Sequence, residues 1–158
     1  MKRGLLIVVE GIDGAGKTTH ARRIVRWLRE SGIKAHYTFE PTRGAIGRIL
    51  EEMASKRRVD VRVEALLFAA DRIDHLNRII KPLLETGYIV VSDRYVHSSI
   101  AYQSITVGDQ RWVEELNKFA EKPDLVILLD VDPEIGLRRI KGRKARFERI
   151  EILKRVRE

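Results

Sequence analysis

Apolar residues fall in two kinds of run along this chain, and the two kinds alternate. Short strand-like stretches occupy 5–9, 34–39 (the mixed KAHYTF, after Gly32), 88–92 and 125–130, with Val8, Val9, Val90 and Val91 making two of them dense in β-branched residues. Such runs suit strands covered on both faces. Between them, 17–30, 46–54, 63–84, 112–121 and 133–140 carry helical spacing, and 146–158 reads as a last helix. Gly87 and Pro123 mark helix exits shortly before strands. The alternation predicts an α/β fold, a three-layer arrangement with a mostly parallel central sheet and helices on both faces. A four-stranded sheet would have an edge needing cover, which favours a chain shortened at its C-terminus.

The first strand runs straight into EGIDGAGKTT, a complete GxxxxGK[ST] phosphate-binding loop at the start of a helix. Gly11, Gly14 and Gly16 let the backbone curl around a phosphate with its N–H groups inward, and Ala15 and Thr19 share that loop. Lys17 reaches the β- and γ-phosphates in this pattern, and Thr18 serves Mg²⁺. The fold class sharpens accordingly to a P-loop NTPase that binds a nucleoside triphosphate. What accepts the phosphoryl group is not answered by the loop.

Composition narrows the setting. The 158 residues, 18.3 kDa, suit a single domain. The absence of cysteine removes thiol catalysis and zinc thiolates, and His20, His36, His75 and His97 are too dispersed for a local metal motif. No apolar run is long enough to cross a bilayer, so a cytoplasmic enzyme is expected. A net charge of +8 suits an anionic partner, and its basic clusters lie at Lys56, Arg57 and Arg58 and from Arg138 through Arg157. No base-stacking or zinc-finger pattern accompanies them, so no nucleic acid is expected.

Each strand then delivers polar residues just beyond its C-terminal end, where ligands bind in open α/β sheets. The first exit gives Glu10 and Asp13; the second gives Glu40 and Pro41, with Arg43 close by and Arg48 further on; the third gives Asp93, Arg94 and Tyr95. Asp93 reads as a Mg²⁺-water ligand or a phosphate-side acid, and Arg94 as a clamp on a transferring phosphoryl group, since lysine alone neutralises too little charge. In EALLFAADRIDH, Phe68 and Arg72 stand four residues apart on one helical face, a ring and a donor able to read a base. Asp71 can orient neighbouring arginines or touch ligand. Ser98, Ser99, Tyr102 and Gln103 follow on another helical turn and offer contacts to a base or sugar. These residues alone leave open a small-molecule kinase, a regulatory P-loop NTPase and a nucleic-acid-stimulated ATPase.

Taken in order, EGIDGAGKT, FEP, LLFAADR, DRY and SSIAYQ make the chain resemble the thymidylate kinases, across essentially its whole length. The resemblance implies transfer of the ATP γ-phosphoryl group to dTMP, with Mg²⁺, in a protein that is commonly a homodimer. It implies that Asp13 lies near the acceptor 3′-hydroxyl, that Phe68 stacks on thymine and Arg72 contacts it, that Asp93 and Arg94 flank the phosphates, and that Ser98, Tyr102 and Gln103 meet sugar and base. Two departures stand out. Phe39 precedes Glu40 where many relatives carry arginine, so that charge is either supplied elsewhere or unnecessary. Ala15 precedes Gly16, which resembles the branch whose lid supplies catalytic arginine. Arg143 and Arg146 in GRKARFE are the lid candidates, within a short segment near 139–147, and Arg139 is the reserve. Relatives of this family usually continue past the position of Glu158 with another strand and a helix.

Overall fold

The computed structural model describes residues 3–54, 59–140 and 150–158. In chain order its elements are β1 (Leu6–Glu10), α1 (Lys17–Glu30), β2 (Ala35–Phe39), α2 (Ala45–Ala54), α3 (Val61–His75), a π-helical turn (Leu76–Ile80), α4 (Lys81–Glu85), β3 (Ile89–Asp93), α5 (Val96–Val107), α6 (Gln110–Leu116), β4 (Leu125–Leu128), α7 (Pro133–Arg139) and α8 (Ile150–Arg157). The strands form one sheet in the order β2-β3-β1-β4, and all its pairings are parallel. The expected fold class is the observed one.

Alternation along β1 and β3 explains why the sheet carries helices on both faces. Leu6, Val8 and Val90 turn to one side, where Leu76, Ile80, Leu84 and Tyr95 cover them. Val9 and Val91 turn to the other and meet Ala21, Val25 and Leu28 of α1. A third cluster of Ile12, Ala15, Tyr102 and Leu153 anchors α8 beneath the phosphate loop. β4 forms one edge of the described sheet, with Leu125 and Leu128 exposed.

Three elements depart from the reading of the sequence. The helix expected over 63–84 is interrupted by the π-helical turn that begins just past His75. This turn lets a buried polar stripe on α3 give way to the apolar Leu76, Ile80 and Leu84. The helix expected over 112–121 stops at Leu116, because Asn117 turns its amide back to the Val113 carbonyl at 2.8 Å and gives its oxygen to Arg72. The strand expected over 125–130 ends at Leu128, and Asp130 instead pairs with Arg157 of α8 at 2.6 Å.

Candidate active site

The phosphate loop owes its shape to close backbone approach. Gly14 has φ +80°, and a β-carbon there would lie 2.1 Å from the Gly136 carbonyl oxygen; one on Gly136 would lie 2.6 Å from the Asp13 oxygen. Only glycine at both positions lets α7 pack backbone to backbone on the loop. α1 then begins at Lys17 with no side-chain cap and no acid in its first turn, so its leading N–H groups are free to receive an anion. Ala15 buries its methyl in the third cluster and can address a ligand only through its backbone. Thr19 lies beside Thr18 on the rim of the phosphate cleft.

Lys17 is 7% exposed, donates to the Ile12 carbonyl at 2.8 Å and lies 3.9 Å from Asp13 Oδ1. Burial, aided by the nearby Arg94 charge, lowers its pKa to about 8 against the pull of Asp13, Asp93 and Glu10. Thr18 Oγ1 donates to Asp93 Oδ2, which brings a hydroxyl and a carboxylate together at the loop's mouth. Oxygen donors of this kind fit Mg²⁺, which takes one or two protein ligands and completes its shell with phosphate and water. No cluster of three or more metal-binding side chains occurs among the described residues.

Arg94 stands where the phosphate cleft meets a second cavity. It has φ +71°, the one left-handed non-glycine among the described residues, and this backbone turn directs its side chain across the loop. It donates to Asp13 Oδ1 and, at 3.0 Å, to Ser98 Oγ, with its guanidinium 5.2 Å from the centre of the Tyr102 ring. Burial works against its charge, but Asp13, Tyr102 and Glu10 outweigh that and raise its pKa above the ordinary arginine value. Burial likewise pushes the Tyr102 phenol up to about 12, so it stays protonated, 3.4 Å from Asp13 Oδ2.

The second cavity, about 130 Å³ in volume, is lined by Asp13, Glu40, Phe68, Arg72, Arg94, Ser98, Tyr102 and Gln103, together with Pro41, Tyr95 and Ser99. Rings with a few convergent polar groups are the lining of a small-molecule site. The residues arrive from separate elements: Glu40 follows β2, Phe68 and Arg72 lie on α3, and Tyr102 and Gln103 lie on α5. Gln103 is 4% exposed and its amide has no hydrogen-bond partner among the described residues. Asp13, Glu40 and Arg94 also line the phosphate cleft, so the two spaces share a wall.

Several expected roles shift. Arg48 is exposed and lines neither space, because α2 buries Gly47 and Leu50 and rotates residue 48 outward. Glu40 spends both carboxylate oxygens on protein donors, Oε2 on Arg72 at 2.8 Å and Oε1 on His75 at 3.0 Å. Among the described residues Asp71 pairs with no arginine; it accepts from Thr42 N at 2.7 Å and Thr42 Oγ1 at 2.6 Å, fixing the loop after β2. Ser98 Oγ donates to Glu10 Oε2 at 2.6 Å, and Glu10 Oε1 takes the backbone N–H of Tyr95 at 2.9 Å, so Glu10 caps α5 across the sheet. Arg43 lies on the rim of the phosphate cleft with its guanidinium 5.7 Å from the Phe39 ring centre, over the position where many relatives carry arginine. Arg139 reaches the Gly14 carbonyl at 3.4 Å. Arg143 and Arg146 lie outside the described residues.

Reading the sequence missed His75 and Asn117. His75 shares the α3 face with Phe68 and Arg72, so helical periodicity held a signal for it. Asn117 had none, since its partner Arg72 is 45 residues away in sequence.

A family model described as thymidylate kinase matches residues 9–158. A probable thymidylate kinase of Staphylothermus marinus is 48% identical over 158 residues, covering 98% of this chain and 79% of its own length. One from Thermococcus gammatolerans is 44% identical over 167 residues, covering 98% and 80%. A solved thymidylate kinase structure from Candida albicans superposes with a TM-score of 0.83 at 28% identity, over 98% of this chain and 75% of that one.

Proposed function

The chain belongs to the thymidylate kinase family, and on that footing we propose that its cleft transfers the γ-phosphoryl group of ATP to the 5′-phosphate of dTMP, giving dTDP and ADP. The observation that carries the reading is the shared wall. Lys17 and the amide-lined loop lie on one side of Arg94 and Asp13, and Phe68, Arg72 and the Gln103 amide lie on the other. A donor polyphosphate and an acceptor base held there bring their phosphates together at Arg94.

An oxygen of the dTMP phosphate attacks the γ-phosphorus as the bond to the β-phosphate oxygen breaks. The attacking phosphate is ionised at neutral pH and needs no strong general base, so catalysis is positioning and charge neutralisation. Lys17 and Arg94 supply fixed positive charge, and Arg43 stands in for the arginine that Phe39 displaces. Mg²⁺ held by Thr18 and Asp93 would offset the charge of the β- and γ-phosphates. We assign the remaining charge to the lid near 139–147, from Arg143 or Arg146, with Arg139 already beside the loop. Phe68 stacks on thymine, Gln103 and Arg72 address its polar edge, Asp13 takes the 3′-hydroxyl, and Tyr102 closes the space beside the sugar.

We also propose a single catalytic domain that works as a homodimer in the cytoplasm. The exposed row Val63, Leu66 and Ile73 on α3 supports the pairing, and no helix among the described residues is long and apolar enough to cross a membrane. The deciding experiment is ATP-dependent phosphorylation by the full chain across a panel of nucleoside monophosphates. Formation of dTDP ahead of the other diphosphates is expected. ADP release without any diphosphate product would refute the kinase reading.

A further inference from the structure

Arg72 is 2% exposed and fully engaged on one side. Its Nε and Nη2 both go to the same oxygen of Glu40, Oε2, each at 2.8 Å. That is not the arrangement a free arginine–carboxylate pair adopts, in which two parallel N–H groups meet two oxygens. The reason lies behind Glu40. Its other oxygen is occupied by His75 Nδ1 at 3.0 Å, and His75 Nε2 in turn meets Thr38 Oγ1 at 2.5 Å.

A carboxylate oxygen only accepts, so Nδ1 carries a hydrogen toward Glu40. The far side of the ring is held by the Nε2 contact to the Thr38 hydroxyl. With Oε1 taken, the carboxylate cannot rotate to grip Arg72 symmetrically. The guanidinium instead keeps Nη2 within 3.0 Å of Ser99 Oγ and 3.2 Å of the Tyr95 carbonyl, and gives Nη1 to Asn117. Both Arg72 and Ser99 line the base-side cavity.

We infer that His75 is a positioning residue for acceptor selection: through its Nδ1–H it holds Glu40, and Glu40 thereby holds Arg72 in the orientation that meets the acceptor base. The inference rests on the base-side reading above and adds a residue that touches neither substrate. Losing the His75 donor frees Oε1, lets the carboxylate turn, and draws the guanidinium away from Ser99. The effect falls on dTMP, because Arg72, the group that His75 holds through Glu40, lines the base-side cavity and not the phosphate cleft that would hold ATP.

The test is steady-state kinetics of the full chain and three variants, with ¹⁵N NMR of the imidazole. His75→Phe keeps a ring without the donor; KM for dTMP should rise about tenfold, the scale of one buried hydrogen bond lost, with KM for ATP and kcat near the parent values. His75→Asn, whose amide can reach Glu40 as Nδ1 does, should recover most of that loss. Thr38→Val removes only the hydroxyl that fixes Nε2, suits a strand, and should give a smaller rise in the same constant. NMR of the parent should show a hydrogen on Nδ1. An Nε2–H tautomer, an unchanged KM for dTMP in both His75→Phe and Thr38→Val, or equal rises in both KM values would each overturn the inference. A parent protein that phosphorylates no dTMP would instead remove the base-side reading itself, and this inference with it.

Discussion

On the phosphate side of the cleft, charges are left partly unanswered; on the base side, the buried charges of Arg72 and Glu40 are answered by each other. Lys17 lies 3.9 Å from Asp13, and its ammonium is easier to deprotonate than that of an ordinary lysine. Arg72 instead is boxed by Glu40, Asn117, Ser99 and the Tyr95 carbonyl. A site that must neutralise a mobile polyphosphate keeps its charge available. A site that must recognise one base benefits from a rigid frame, because its few free donors then point one way. The two regions should therefore fail differently when damaged, one in turnover and the other in stability and selectivity.

The strongest way to break this contrast is to remove the centre of the rigid side. Arg72→Met leaves the Glu40 carboxylate buried without its cation, and loss of about 3–5 kcal/mol of folding stability is expected, read from urea unfolding. Adding Glu40→Gln should return part of it. A single variant as stable as the parent would show that the base-side frame is not structural. On the open side, Lys17→Ala should lower kcat by about 10²–10³-fold while unfolding curves barely move. Near-parent turnover in the Lys17→Ala enzyme would remove the lysine from the phosphate mechanism.

Phe68→Ala sharpens the comparison within the base side, since the ring is only half-buried and lines the cavity. Titrations should show dTMP weakened by roughly 1–3 kcal/mol, the value of stacking on an aromatic ring, with an ATP analogue bound as before. Equal weakening of both ligands would reduce Phe68 to packing. The smallest effect comes from pH. With Lys17 at about 8 in the folded protein against 10.5 ordinarily, kcat/KM for ATP should fall as pH rises through about 8. Between those two values the unfolded chain binds the proton that the folded chain has released, so stability should rise with pH relative to Lys17→Met. Parallel pH profiles for the two proteins would show that the lysine is not depressed.

The same contrast governs what the amino-acid sequence makes legible. The phosphate side is written in contiguous residues: a strand, a loop and a helix whose 17–30 span is the observed one. β1 and β3 show as apolar runs because the middle of the sheet is covered on both faces. The base-side residues could be assembled into one cavity by family pattern, but not their bonds to one another. Asn117 ends α6 early for the sake of Arg72, and the turn at Leu76–Ile80 changes which face of the helix is buried. Neither leaves a local signature, because each is set by a partner distant in sequence. Arg48 was misplaced for the converse reason: its charge suggested a site, but the small buried face of α2 decides where it points.

The left-handed backbone at Arg94 also bears on attempts to make this protein hardier. A side chain held at φ +71° costs on the order of 1–3 kcal/mol relative to relaxed geometry. A screen that rewarded heat resistance alone would therefore favour glycine at position 94, where the same turn comes without that cost. The winner would be a sturdier scaffold lacking the arginine at the boundary between donor and acceptor. Thermal selection and catalytic selection pull in opposite directions at this one residue, so libraries built for ruggedness should hold it fixed.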